Sequence, residues 1–165
     1  MTCCNCCPCE DATPAPPVSA GFQYACSLKV EGYNQAIPRN TWTQVHFPGQ
    51  AVEMSDAHGM HDSNSTGAQS GLITVKGPGG WGIIAAMAQW VDPKDATETR
   101  VQIIRDPFNN PDTTATNHKA RTPGGDYYTL LWPLHLPAER PHAIRVYHNA
   151  STSLVLNLAE FKVIY

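Results

Sequence analysis

No stretch of this sequence holds the roughly 18 to 20 consecutive apolar residues that a membrane-crossing helix requires. No stretch prefers a helix at all, because 14 prolines and 12 glycines recur too often to leave one uninterrupted. Charge is sparse as well: 15% of residues are charged, the formal net charge is -3, and the Lys and Arg are scattered. A nucleic-acid surface gathers basic residues on one face, so that partner class is set aside, as is membrane insertion. The N-terminus shows neither the basic start nor the apolar segment of a secretory leader, and the chain is expected to be made in a cytoplasm without export by the general route. After residue 9 cysteine all but vanishes, with Cys26 alone in the rest of the chain. Gly-x-Ser-x-Gly, a phosphate loop and an acidic pair placed for glycoside hydrolysis are all missing, which argues against an enzyme.

What is present is a chain of 165 residues, 42% hydrophobic, enough for one domain with a real core and a short extension. "FQYACSLKV" alternates Phe22, Tyr24, Cys26, Leu28 and Val30 with more polar residues, the two-residue period of a half-buried strand. "TWTQVHF" does the same, placing Thr43, Val45 and Phe47 on one side and Trp42, Gln44 and His46 on the other, and predicts a second long strand. Further strands are predicted at "GLITVKG", "WGIIAAMAQWV", "TRVQIIR", "YYTLLWPLHL", "HAIRVYHN", "SLVLNLA" and "EFKVIY", with turn-forming residues between them. These segments imply an all-β sandwich or jelly roll spanning residues 19–165, behind an N-terminal arm of residues 1–18.

One strand is apolar on both sides. Trp81, Ile83, Ala85, Met87 and Val91 share one face of "WGIIAAMAQWV", and Ile84, Ala86, Ala88 and Trp90 share the other. A sandwich strand needs one apolar face only, so the second is expected to be covered by another subunit, where small Ala86 and Ala88 admit a close backbone. Ile84, Ala86, Ala88, Trp90 and, from "AIRVYHN", Tyr147 are the expected interface residues. Burial beneath a loop of the same chain is the alternative.

The arm begins with Cys3, Cys4, Cys6, Cys7 and Cys9, followed by "EDATPAPPV", whose prolines favour an extended, semi-rigid spacer. The C-C-x-C-C-x-C spacing is too tight for a zinc finger with its long intervening loop. Three outcomes stay open: disulfides between chains or to a partner, a thiolate cluster holding Zn²⁺, and a reduced anchor that docks on another protein. Cys26, on the apolar side of its strand, is expected to be a buried small residue. The segment "VEMSDAHGMHDSNS" brings a second metal reading, through Glu53, Asp56, His58, His61 and Asp62 with an H-x-x-H spacing. Turn-forming Asp, Gly, Ser and Asn account for the same residues without a metal. His46, His135 and His148 lie in predicted strands and are expected to be structural.

The segments "QAIPRNTWTQVHF", "GWGIIAAMAQW", "TRVQIIR", "IRVYHNASTSLVLN" and the final "FKVIY" occur in the order and spacing of a known family. From about Phe22 to Tyr165 the chain resembles the globular head of complement component one's q subcomponent, within the tumour necrosis factor-like jelly-roll superfamily. The resemblance implies a jelly roll of about ten antiparallel strands, a compact homotrimer with N-termini gathered at its base and loops displayed at the far end, and a binding role without catalysis. Secreted animal members carry a leader and often a Gly-X-Y stalk, and this sequence shows neither. The departure points to a bacteriophage virion protein, made in the host cytoplasm and released by lysis. Its arm would attach to capsid or tail proteins, and its head would decorate the capsid or meet host surface glycan. A secreted complement- or cytokine-like ligand, and a metal-dependent hydrolase centred on His58, His61 and Asp62, are the rival functions.

Overall fold

The alternation of apolar and polar residues along the chain builds strands, and a computed structural model describes them over residues 21–49, 52–92, 95–120 and 127–165. The arm and its cysteines, Cys3, Cys4, Cys6, Cys7 and Cys9, lie outside the described residues. Ten strands follow in order: β1 (Ala25–Ile37), β2 (Thr43–Gln44), β3 (Val52–Asp56), β4 (Ile73–Thr74), β5 (Gly79–Val91), β6 (Glu98–Arg105), β7 (Asp112–Ala120), β8 (Tyr127–Pro137), β9 (Pro141–His148) and β10 (Leu154–Ile164). A 3-10 turn, Gly67–Gly71, lies between β3 and β4. Among the described residues no helix is long and apolar enough to cross a membrane. The first sheet runs β3-β1-β10-β5-β8, the second β2-β9-β6-β7 with β4 also on β9, and every pairing is antiparallel. This is the expected all-β jelly roll.

The core fills the gap between the sheets. Cys26, Leu28 and Val30 of β1 and Phe161 and Val163 of β10 face Val101 and Ile103 of β6 and Ile144 and Val146 of β9. Val45 and Phe47 follow β2 into the same interior, where the Phe47 and Phe161 rings lie 6.5 Å apart. Burial pushes the Cys26 thiol up to about 12, helped by the Asp56 charge, so this sulfur is a packing atom and not a nucleophile.

Several strands differ from the sequence expectation. "TWTQVHF" and "GLITVKG" each form only two ladder residues, because β2 and β4 lie end to end along one edge of β9, at Arg145–Val146 and at Pro141–His142. "SLVLNLA" and "EFKVIY" are one strand, β10, held on both sides by β1 and β5 across a bulge near Leu156. β3 and β7 carry no clear alternation and were not expected. Both are edge strands with a single partner each, so their sequences answer to one neighbour only.

The largest correction concerns β5. Ile84, Ala86, Ala88 and Trp90, expected to meet another subunit, are buried in the core of a single chain. Trp90 packs edge-on at 5.4 Å against His148 of the opposite sheet, which places it inside the sandwich. Tyr147 is only half-buried, on the outer side of the second sheet, so the five residues never share a surface. The outward side of β5 is the one bearing Trp81, Ile83, Ala85 and Met87.

The chain ends are tied together. Gln23 and Tyr24 donate their backbone N–H to the Tyr165 carbonyl at 2.7 and 2.9 Å, and Tyr165 N–H returns to the Tyr24 carbonyl at 3.0 Å. The Tyr165 hydroxyl bridges the backbone N–H and carbonyl of Lys76, each at 2.7 Å. This base, where the arm leaves, also holds the turns after β6 and β8. The turns after β1 and β9 lie at the opposite apex.

Candidate functional site

The predicted loop metal site is not assembled. Asp56 folds over its own turn: Oδ1 accepts from the backbone N–H of His58 at 3.2 Å and Met60 at 3.0 Å, and Oδ2 from that of His61 at 2.8 Å. Asp62 caps the next turn, accepting from Asn64 N–H at 2.9 Å. His58 is exposed, its ring tilted against Tyr24 at 4.7 Å. His61 turns inward, and its Nδ1 donates to the Leu72 carbonyl at 3.0 Å. Two carboxylates satisfy backbone and the two imidazoles diverge, so His58, His61 and Asp62 act here as turn chemistry. Among the described residues no three His, Cys, Asp or Glu side chains gather as a metal site.

Three further histidines, His148, His135 and His142, pack within or against the sheets. His148 Nε2 donates to the Ile37 carbonyl at 2.9 Å and its Nδ1 accepts from Ala150 N–H at 3.2 Å. His135 packs edge-on against Trp81 at 6.0 Å. His142 is fully buried; its Nδ1 meets the Arg140 carbonyl at 3.2 Å and its Nε2 has no partner. Burial lowers its pKa to about 4, with nearby Arg105 adding to the effect while the Arg140 carbonyl and Asp106 oppose it.

The surface that lacks a structural explanation is the outer face of the first sheet. Cross-strand register sets Ile83 beside Pro133 and Ile164, and Ala85 beside Leu131 and Lys162. At the base end of this apolar band Trp81 is 75% exposed, and at its middle, beside Ala85, Leu131 is 62% exposed. The β1 and β10 half of the same face is charged, with ion pairs Lys29–Glu31 at 3.3 Å and Lys162–Glu160 at 2.7 Å. An apolar band of this kind, rimmed by charge, is what an interaction surface looks like on a soluble protein. A signal for it stands in the sequence: Gln89 shares the parity of Ile83, Ala85 and Met87, and a polar residue marks the face that leaves the core.

Gly82 lets β5 carry this band. A Cβ there would collide with the Ile164 carbonyl oxygen and the Tyr165 side chain, so only glycine permits the close approach of β5 to β10.

No family model matches the chain, and no curated protein matches it. Solved structures do. The globular domain of the zebrafish complement 1qA protein is 14% identical, with 86% of this chain and 95% of that chain covered at a TM-score of 0.54. The Eiger TNF from S. frugiperda is 12% identical, with 88% and 93% covered and a TM-score of 0.55. Murine APRIL at pH 5.0 is 12% identical, with 87% and 100% covered and a TM-score of 0.58. At this identity the likeness is one of fold, and it reaches the same architecture as the sequence resemblance: a complement- and tumour necrosis factor-like jelly roll.

Proposed function

We propose that this chain is a non-enzymatic, homotrimeric binding head, displayed on a bacteriophage virion as a capsid decoration or tail knob and held there by its Cys-rich arm. The observation that carries the self-association is the outward apolar band of β5 and β8, with Trp81 and Leu131 its most exposed members. Three copies meeting through this band would cover it, gather their bases and send the apex loops outward. The arm and its proline spacer precede the base and support attachment to a larger particle, whether through disulfides, Zn²⁺ or simple docking. Removing residues 1–18 is expected to leave a folded trimer that no longer attaches.

Analytical ultracentrifugation tests the assembly. The wild-type head is expected to sediment as a trimer, and Leu131→Asp as a folded monomer, because an aspartate there faces a buried apolar surface. A wild-type monomer at micromolar concentration would refute the proposed band. Mass spectrometry of purified phage particles tests the location. A secreted ligand is the second reading, favoured by the complement and TNF proteins among the structural neighbours. Recovery of the chain from culture medium free of particles would select it.

A further inference from the structure

Among the described residues, the outer face of the second sheet holds a charge without a counter-charge. Register places Gln44, Arg145 and Gln102 in one outward row, and Tyr147 and Arg100 in the next row toward the apex. Trp42 joins that second row, its ring 5.4 Å from the Tyr147 ring. Arg100 lies 5.0 Å over Tyr147 and is neutralised by Glu98 through bonds of 2.6 and 2.9 Å. Arg145 is different. Its guanidinium lies 5.0 Å over the Trp42 ring, Nε donates to Gln102 Oε1 at 2.6 Å, and one terminal nitrogen reaches Thr113 Oγ1 at 3.5 Å. These partners are neutral. Among the described residues no carboxylate pairs with this half-buried guanidinium, and burial lowers its pKa, a direction that a bound anion would reverse.

We propose that Arg145, flanked by Trp42, Tyr147 and Gln102, is a binding site for the carboxylate of an acidic sugar in a surface glycan. It rests on the reading of the molecule as a binding head. A guanidinium supplies a planar two-toothed donor for a carboxylate, Gln102 keeps its amide N–H groups for a ring hydroxyl while the Gln44 amide nitrogen is held by the Ala68 carbonyl at 2.5 Å, and two half-exposed aromatic rings supply apolar surface for the C–H side of a sugar. An acidic peptide would satisfy the charge and leave the Gln102 amide and the rings without a role. The site opens just below the apex, on the sheet opposite the self-association band, so both surfaces act at once.

The test measures wild-type binding by surface plasmon resonance to oligosaccharides containing glucuronate, galacturonate or sialic acid, each beside its neutral counterpart, and to poly-glutamate. At least one acidic oligosaccharide is expected to bind while its neutral counterpart does not. Arg145→Gln is expected to lose roughly 10- to 100-fold in affinity, and Arg145→Lys most of that, since the ammonium keeps the charge and loses the fork. Arg105→Gln, a base residue paired with Asp112, keeps wild-type affinity. Independently of folding in the variants, titrating the wild-type protein with the binding sugar is expected to shift the Trp42 indole N–H resonance. Binding unchanged in Arg145→Gln, equal binding of neutral sugars, binding of poly-glutamate alone, or no binding of any acidic sugar overturns the site. Sedimentation of the same samples separates the two ideas: a trimer that binds no acidic sugar removes this site only, and a monomer that binds one removes only the self-association.

Discussion

The outer faces of the two sheets follow the same two-residue alternation and reach opposite chemistry. On the second sheet the long side chains hold one another: Arg100 to Glu98, Tyr147 to Asn40, Arg145 to Gln102. On the first, Trp81, Ile83, Ala85 and Leu131 form an apolar band bordered by the edge of His135 and by Lys162. A face of laterally bonded polar and aromatic groups stands in water without penalty, whereas an apolar band gains free energy only when something covers it. The sandwich therefore has one outer side that is polar and aromatic and one that is largely apolar, with the core between them set by the opposite parity of the same strands.

The contrast between inward and outward parity breaks most sharply at β5. Ala88→Asp puts an unpaired charge into the core and is expected to destabilise the fold by about 4 kcal/mol, read by chemical denaturation. An outward substitution on the same strand, Ala85→Asp, is expected to leave the monomer folded and reduce only its association. If both variants unfold equally, the assignment of faces is wrong.

Acid probes the interior next. His142 has a folded-state pKa near 4 against an ordinary value of 6.5, so the folded protein resists a proton that the unfolded chain accepts. Stability is then complete above about pH 6.5 and falls as the pH drops from there toward 4; at about 1.4 kcal/mol per unit the full loss is about 3 kcal/mol. Denaturation curves at pH 7 and pH 4.5 should separate for the wild type and converge in His142→Asn, which has no titrating ring. Persistence of the full loss in that variant would place its source elsewhere.

Smaller effects sharpen the two outer faces. Trp42→Ala removes the ring pair with Tyr147 and the platform beneath Arg145 and is expected to cost about 1 kcal/mol, visible as a lowered melting temperature. Lys162→Ala breaks an exposed ion pair with Glu160 and should change stability by about 0.5 kcal/mol or less. A large loss from Lys162→Ala would mean that the charged half of the first sheet is also covered.

Much of the fold was legible because alternation reports burial directly. The inward set Cys26, Leu28 and Val30, and the pair Ile144 and Val146 with Tyr147 outward, stand where the pattern puts them. β3 and β7 escaped because an edge strand pairs on one side only and its residues need not alternate. The outward side of β5 escaped for a different reason. Both faces of "GIIAAMAQW" are apolar, so parity alone could not say which side faced inward, and only Gln89 carried the answer. His58, His61 and Asp62 resembled metal ligands because their spacing is also that of tight turns, and Asp56 shows which use prevails by accepting three backbone N–H groups.

By itself the sequence determined most of the strands, the all-β class and the burial of Cys26, because hydrophobic period and turn residues act locally along the chain, and its family resemblance implied the jelly roll. Tertiary structure alone decided which side of β5 became core, that β2 and β4 share one edge of β9, and that Arg145 meets amide, hydroxyl and indole. Those outcomes depend on strands far apart in sequence lying side by side, and charge balance or solvent exposure exists only once the sheets have packed.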